Sequence, residues 1–117
     1  MVMLYGIRNC DTCRKALKWL ESAGIEAGFH DFRRDGVPEA RVQHWLQTLG
    51  AEQVISRRSP TWRKLGDADR ARVDTAPVAL VQEWPNLIRR PVLEDGGDVV
   101  VGFREAEYAE RFGGGAA

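Results

Sequence analysis

The stretch Val2-Met3-Leu4-Tyr5-Gly6-Ile7 runs into Arg8-Asn9-Cys10-Asp11-Thr12-Cys13-Arg14-Lys15-Ala16-Leu17-Lys18-Trp19-Leu20. The first six residues are short, apolar and aromatic, which predicts a strand. A helix then begins at Asn9 or Cys10, because Cys13, Ala16, Leu17 and Leu20 recur at i, i+3, i+4 and i+7 and form one apolar stripe. Arg14, Lys15, Lys18 and Glu21 fall mostly outside that stripe, and Gly24 is placed to end the helix in the left-handed conformation. Phe29 to Phe32 reads as a second strand. Strand, helix and strand at this spacing predict a βαβ crossover and therefore a parallel pair.

Further along, a second helix starts at Pro38, carries Val42, Trp45, Leu46 and Leu49 on one face, and stops at Gly50. Ser59-Pro60 and Asp67 start short helices around Trp62 and Ala71. Thr75-Ala76-Pro77 starts another, with Leu80, Val81 and Trp84 buried and Pro85 as its stop. Pro91-Val92-Leu93, Asp95-Gly96-Gly97-Asp98 and Val99-Val100-Val101 then read as a hairpin, and Ala106, Tyr108, Ala109 and Phe112 as a last short helix. The order βαβ, several helices, then ββα predicts an α/β protein of thioredoxin-like fold, with a four-stranded mixed sheet and a helical insertion. A single domain is expected over residues 1–112, with the insertion at about 36–85. Residues 113–117, Gly-Gly-Gly-Ala-Ala, read as a flexible tail.

A length of 117 residues suits one domain, and 44% hydrophobic residues with four Trp and four Phe supply a core. The 17 basic and 17 acidic residues cancel, and a pI near 6.7 gives no general electrostatic pull on nucleic acid or anionic lipid. There is no apolar run long enough to span a membrane, and the N-terminal residues lack the pattern of a secretory leader. A cytoplasmic protein is expected, and there thiols stay reduced. A cysteine pair in that compartment is more often catalytic or metal-binding than a structural staple.

The two cysteines sit three apart, at the first turn of the first helix. Unpaired N–H groups and the positive dipole end at that position favour a thiolate on Cys10. Arg8 and Arg14 add positive potential and Asp11 opposes it, so a lowered Cys10 pKa is expected. Cys13, inside the turn, is close enough to close a disulfide and too buried to be attacked first. Cys10 is then the nucleophile and Cys13 the resolving thiol. Two other readings exist for such a pair, an inert buried pair and a zinc site. Zinc needs four ligands, and only His30 and His44 remain. His44 belongs to an amphipathic helix and His30 to a strand without a ligand-like partner, so no metal is expected. CxxC beside a βαβ unit is the redox arrangement.

Three segments carry a family resemblance. Tyr5 to Ala16 resembles the N-terminal motif of the arsenate reductase (ArsC)-like family, and Ser59-Pro60-Thr61-Trp62-Arg63-Lys64-Leu65 resembles its middle segment. Leu87-Ile88-Arg89-Arg90-Pro91-Val92-Leu93, followed by Val101-Gly102-Phe103, is similar to its C-terminal signature. Within the family the match is closest to the YffB branch. The resemblance implies a thioredoxin-like fold with a helical insertion and glutathione as reductant. It also implies arginines around the Cys10 position: Arg90, then Arg58 with Arg57 competing for the place, and Arg104 with the family position falling nearer Phe103. Pro91 matches a cis-proline facing the cysteine. Family arsenate reductases typically carry Ser where this chain has Cys13, which moves the expectation from arsenate toward dithiol or glutathione-linked chemistry.

The residues make a separate case for Arg90 and Arg58, since arginine forks bind carboxylates in bidentate fashion and glutathione carries two. The opposing reading is that Arg33-Arg34, Arg57-Arg58 and Arg89-Arg90 are solvated surface pairs. The function expected is glutathione-dependent thiol or disulfide reduction by a monomer. Glutathione is its co-substrate, and no cofactor, nucleic acid or membrane is bound. Two alternatives remain: a redox-sensing regulator like the family's Spx branch, whose CxxC acts as a switch and which binds RNA polymerase, and an arsenate or other oxyanion reductase.

Overall fold

A computed structural model of the chain describes residues 2–113, so all of the expected tail except Gly113 lies outside the described residues. Chain order is β1 (Val2–Gly6), α1 (Asp11–Ser22), β2 (Ala27–Asp31), α2 (Phe32–Asp35), α3 (Glu39–Leu49), α4 (Ala51–Val54), α5 (Pro60–Lys64), α6 (Asp67–Thr75) and α7 (Pro77–Glu83). A 3₁₀ turn (Pro85–Leu87) follows, then β3 (Val92–Asp95), β4 (Asp98–Val101) and α8 (Glu105–Arg111). These form two compact units. One runs up to Phe32 and resumes at Arg90; the other is Arg33–Arg89.

The first unit holds one sheet of order β2-β1-β3-β4. β1 and β2 are parallel, with Leu4 opposite Phe29, whereas β3 is antiparallel to both β1 and β4. This is the mixed four-stranded sheet of a thioredoxin-like fold, built on the βαβ crossover and the hairpin that the sequence predicts. Alternation sorts the side chains by face. Val2 and Leu4 of β1 and Leu93 of β3 pack with Ala16, Trp19 and Leu20 of α1 and with Tyr108 of α8. Tyr5, of opposite parity, donates its hydroxyl to Glu94 Oε1 at 3.0 Å, so this buried carboxylate of β3 is hydrogen-bonded.

Two sequence expectations shift in detail. The buried stripe of α1 is Cys13, Ala16, Trp19 and Leu20, and Leu17 is only half-buried. Trp19 belongs to it because α8 flanks the helix: Tyr108 meets the Trp19 ring edge-on at 5.7 Å. β2 begins at Ala27, two residues earlier than Phe29, because the ladder follows β1 from Val2 onward and pairing overrides the weak strand propensity of Ala and Gly. α1 does end as expected. Gly24 has φ +73°, its N–H donates to Glu21 O, and the Ile25 N–H donates to Leu20 O, the Schellman pattern.

The second unit is helical. Ile55 and Ile88 form an antiparallel bridge, flanked by Ser56 N–H to Leu87 O and Arg89 N–H to Val54 O, both 2.8 Å. Ser59 caps α5 by accepting from the Trp62 N–H. Arg72 clamps Asp69 of α6 at 3.0 Å and Glu83 of α7 at 2.8 Å. Val42 and Trp45 of α3 and Leu80 and Val81 of α7 are buried. Trp84, expected inside, is half-buried, because α7 ends at Glu83 and Pro85 opens the 3₁₀ turn.

Truncating a fully buried aliphatic side chain removes transfer energy and leaves a cavity, together about 2–5 kcal/mol. Leu4→Ala should therefore lower the unfolding free energy by about that amount in urea denaturation, and Leu17→Ala by clearly less. Equal losses would contradict the burial pattern of α1.

Candidate functional site

Cys10 is the N-cap of α1. Its backbone is extended (φ −138°, ψ 122°) and its carbonyl accepts the first helical bond, from the Arg14 N–H at 3.0 Å. The side chain therefore sits where the unpaired N–H groups of the first turn point. Cys10 is partly exposed and Cys13 fully buried, and both are thiols. The partly exposed sulfur is open to a partner, whereas the buried one meets only its neighbours.

Their acidities move in opposite directions. Burial pushes the Cys10 pKa up, but it is outweighed by the backbone N–H of Cys13, the Cys13 thiol, and a hydrogen bond and positive charge from Arg90. The net result is a pKa below the ordinary 9.0. Cys13 is pushed up to about 12, first by burial and then by the neighbouring Cys10, which more than offset the Ile7 N–H and the charge of Arg90. Of the two thiols, Cys10 is the one that deprotonates first.

The strand register explains why Arg90 reaches this place. Tyr5 pairs with Val92, so Arg90 and Pro91, just ahead of β3, lie at the end of the sheet where β1 leads to Cys10. The Arg90–Pro91 peptide is cis, Pro91 is buried, and its carbonyl accepts the Gly102 N–H at 2.8 Å.

The other arginines have surroundings of their own. Arg14 is exposed and ion-paired with Asp11 one turn back, so the two charges whose balance the sequence left open meet each other. Arg8 stacks over Phe29, 5.4 Å from the ring centroid. Arg104 is 81% exposed, just ahead of α8, and lies 3.7 Å from Glu107. Arg58 belongs to the helical unit, exposed in a surface hollow that Glu52, Arg57 and Arg89 also line. Arg57 stacks on Trp62 at 5.5 Å, and Arg70 lies over the same ring at 5.5 Å. Among the described residues no group of three or more His, Cys, Asp or Glu is arranged to hold a metal ion.

Two residues that shape this region were not singled out from the sequence. Asp31, the last residue of β2, is only 7% exposed, and its Oδ2 accepts the Arg8 N–H at 3.1 Å. It thereby ties down the loop between β1 and Cys10. Gly6 lies directly under Cys13. A buried acid at a strand end and a glycine inside a strand pattern are the only hints the sequence holds, and neither says what they touch.

A half-buried, acidified thiol at a helix N-terminus, with a buried second thiol in the same turn, defines a cysteine-based site on a thioredoxin-like fold. The chain belongs to the ArsC family, whose model matches residues 5–111. It is 38% identical over 113 residues to an uncharacterised protein of Haemophilus influenzae, covering 96% of this chain and 99% of that one. It is 34% identical to the global transcriptional regulator Spx 1 of Lactococcus lactis, covering 92% and 85%. The solved structure of a YffB protein superposes with a TM-score of 0.88 at 38% identity, covering 94% of this chain and 97% of that chain. Among the described residues no helix is long and apolar enough to cross a membrane.

The opposed acidities can be read in solution. The pH midpoint for alkylation of Cys10 should lie below 9.0, and Cys13 should react only at much higher pH. Arg90→Ala removes a positive charge and a hydrogen-bond donor from the thiolate, so the Cys10 midpoint should rise. Rate–pH profiles with mass-spectrometric site assignment check this, and a faster Cys13 would reverse the assignment of the two sulfurs.

Proposed function

We propose that this chain is a cytoplasmic, monomeric, glutathione-dependent thiol–disulfide oxidoreductase with Cys10 as nucleophile and Cys13 as resolving thiol. What carries the reading is the opposed acidity of two adjacent thiols at one helix N-terminus, with Arg90 beside the acidic one. No bound cofactor is needed, since the two sulfurs hold the electron pair.

In the first step the Cys10 thiolate attacks a substrate disulfide. A bond forms to one sulfur, and the other leaves as a thiolate that takes a proton from water. Until then the negative Cys10 helps keep Cys13 protonated. Once Cys10 is in a mixed disulfide that charge is gone, and Cys13 loses its proton more easily. The Cys13 sulfur then bonds to Cys10 Sγ and expels the substrate thiolate. Two glutathione thiols restore the dithiol and leave as glutathione disulfide. A thiolate that forms more readily on Cys10 than on Cys13 sets the order of events. Arg90 suits a carboxylate of glutathione, with Arg58 and Arg104 as further carboxylate ligands and Pro91 beside the sulfur; Arg14, paired with Asp11, contributes least.

Similarity to Spx over 92% of the chain favours a second reading, in which the same dithiol is a switch controlling contact with RNA polymerase. A third, oxyanion reduction such as that of arsenate, would use Cys10 and Arg90 without needing Cys13. Glutathione-coupled turnover on a mixed disulfide and on arsenate, beside a polymerase pull-down of the oxidised and reduced protein, separates the three.

Cys10→Ser should abolish turnover, whereas Cys13→Ser should accumulate a glutathione adduct on Cys10, visible by mass. Activity in both variants would sink the enzyme reading. Losing a bidentate contact to a ligand carboxylate costs roughly 2–5 kcal/mol, so Arg90→Ala should raise the KM for glutathione many-fold. Arg90→Lys should recover only part, because an ammonium lacks the two-pronged geometry, and the exposed Arg33→Ala serves as the unaffected control. Wild-type kinetics in folded Arg90→Ala would remove Arg90 from the site.

A further inference from the structure

Gly6 is a buried glycine at the end of a paired strand, where a glycine weakens the element and needs a reason. Its backbone does not provide one. Gly24, Gly36, Gly50, Gly96, Gly102 and Gly113 have positive φ, and Gly6 is not among them. The reason lies above it. A Cβ at position 6 would stand 2.5 Å from Cys13 Sγ, 3.7 Å from Cys13 Cβ and 3.8 Å from Phe29 Cε1. The last two are ordinary contacts, so the overlap is confined to one sulfur atom. Optimal carbon contacts lie at about 3.5–4.0 Å, so that sulfur would have to move by about 1 Å. Cys13 is fully buried, and close packing around a buried side chain leaves few places to go.

We propose that Gly6 is a positioning residue: the space left by its missing side chain is the seat that holds Cys13 Sγ in line with Cys10 Sγ for the resolving step. This rests on the dithiol reading above. In that step the Cys13 thiol gives its proton to solvent and its sulfur bonds to Cys10 Sγ. The bond from Cys10 Sγ to the glutathione sulfur breaks, and glutathione leaves with the electron pair and takes up a proton. Such a displacement needs the three sulfurs close to a line. A methyl group at position 6 attacks that alignment and leaves the half-exposed Cys10 free to form the adduct. Because the overlap falls on the terminal atom of one short side chain and on no backbone atom, the methyl group acts first on sulfur placement.

The experiment loads Gly6→Ala, Cys13→Ser and wild-type protein with glutathione disulfide and follows the Cys10 adduct by quenched mass spectrometry. Misplacement of a reacting atom by about 1 Å can slow a step as much as about a hundredfold. Gly6→Ala should therefore form the adduct yet resolve it about ten to a hundred times more slowly, approaching the Cys13→Ser limit. Resolution at the wild-type rate, with Cys13→Ser still trapping adduct, overturns the seat and spares the dithiol reading. A Cys13→Ser protein that accumulates no adduct overturns the dithiol reading and the role of Gly6 with it. Melting temperatures add a test independent of turnover, also should Gly6→Ala fold poorly. Gly6→Ala/Cys13→Ala, with the sulfur gone, should melt above Gly6→Ala. If the double variant melts no higher, the cost belongs to the strand, and the seat is wrong.

Discussion

β1 is paired on both edges, parallel to β2 and antiparallel to β3, and the site depends on that double pairing. Leu4 of β1 and Leu93 of β3 face each other in the ladder and are both fully buried under α1 and α8. A slip of one residue would turn those side chains to the other face, so burial locks the register. The locked register sends the end of β1 and the start of β3 to the same edge of the sheet. Cys10 then follows from one and Arg90 from the other.

On that edge, geometry separates two sulfurs that are chemically alike. Each feels burial, which opposes a thiolate. Cys10 is only partly covered and has N–H, thiol and guanidinium donors around it. Cys13 is enclosed, and the charge that acts on it most is that of Cys10. Asp31 contributes by holding the intervening loop through the Arg8 N–H, and a buried carboxylate with such a partner avoids much of the desolvation cost it would otherwise incur.

Family membership and the dithiol are compatible with both enzyme and regulator, since the fold supplies a place for a reactive thiol and the neighbouring side chains decide its use. In this chain, the residue at position 13 separates dithiol chemistry from chemistry that uses one cysteine alone. The charge around Cys10 is unequal: Arg14 is tied to Asp11 and Arg104 lies near Glu107, whereas Arg90 acts directly on the thiolate.

Local pattern alone determined the βαβ start, the helix headed by Cys10, the Gly24 stop, the hairpin and the identity of the two sulfurs. Each is written in residues within a few positions of one another, through hydrophobic period, turn chemistry and CxxC spacing. Tertiary structure decided which residues join them. Trp19 is buried because α8 lies beside α1, and β2 starts at Ala27 because β1 offers it a ladder. Arg90 stands at Cys10, and Asp31 at the loop ahead of it, because strand pairing joins segments as much as 80 positions apart (Cys10 to Arg90). Arg90 was named from resemblance and ligand chemistry, but its effect on the Cys10 thiolate is a matter of distance. Charge and contact act through space, and no spacing along the chain reports them until the sheet has closed.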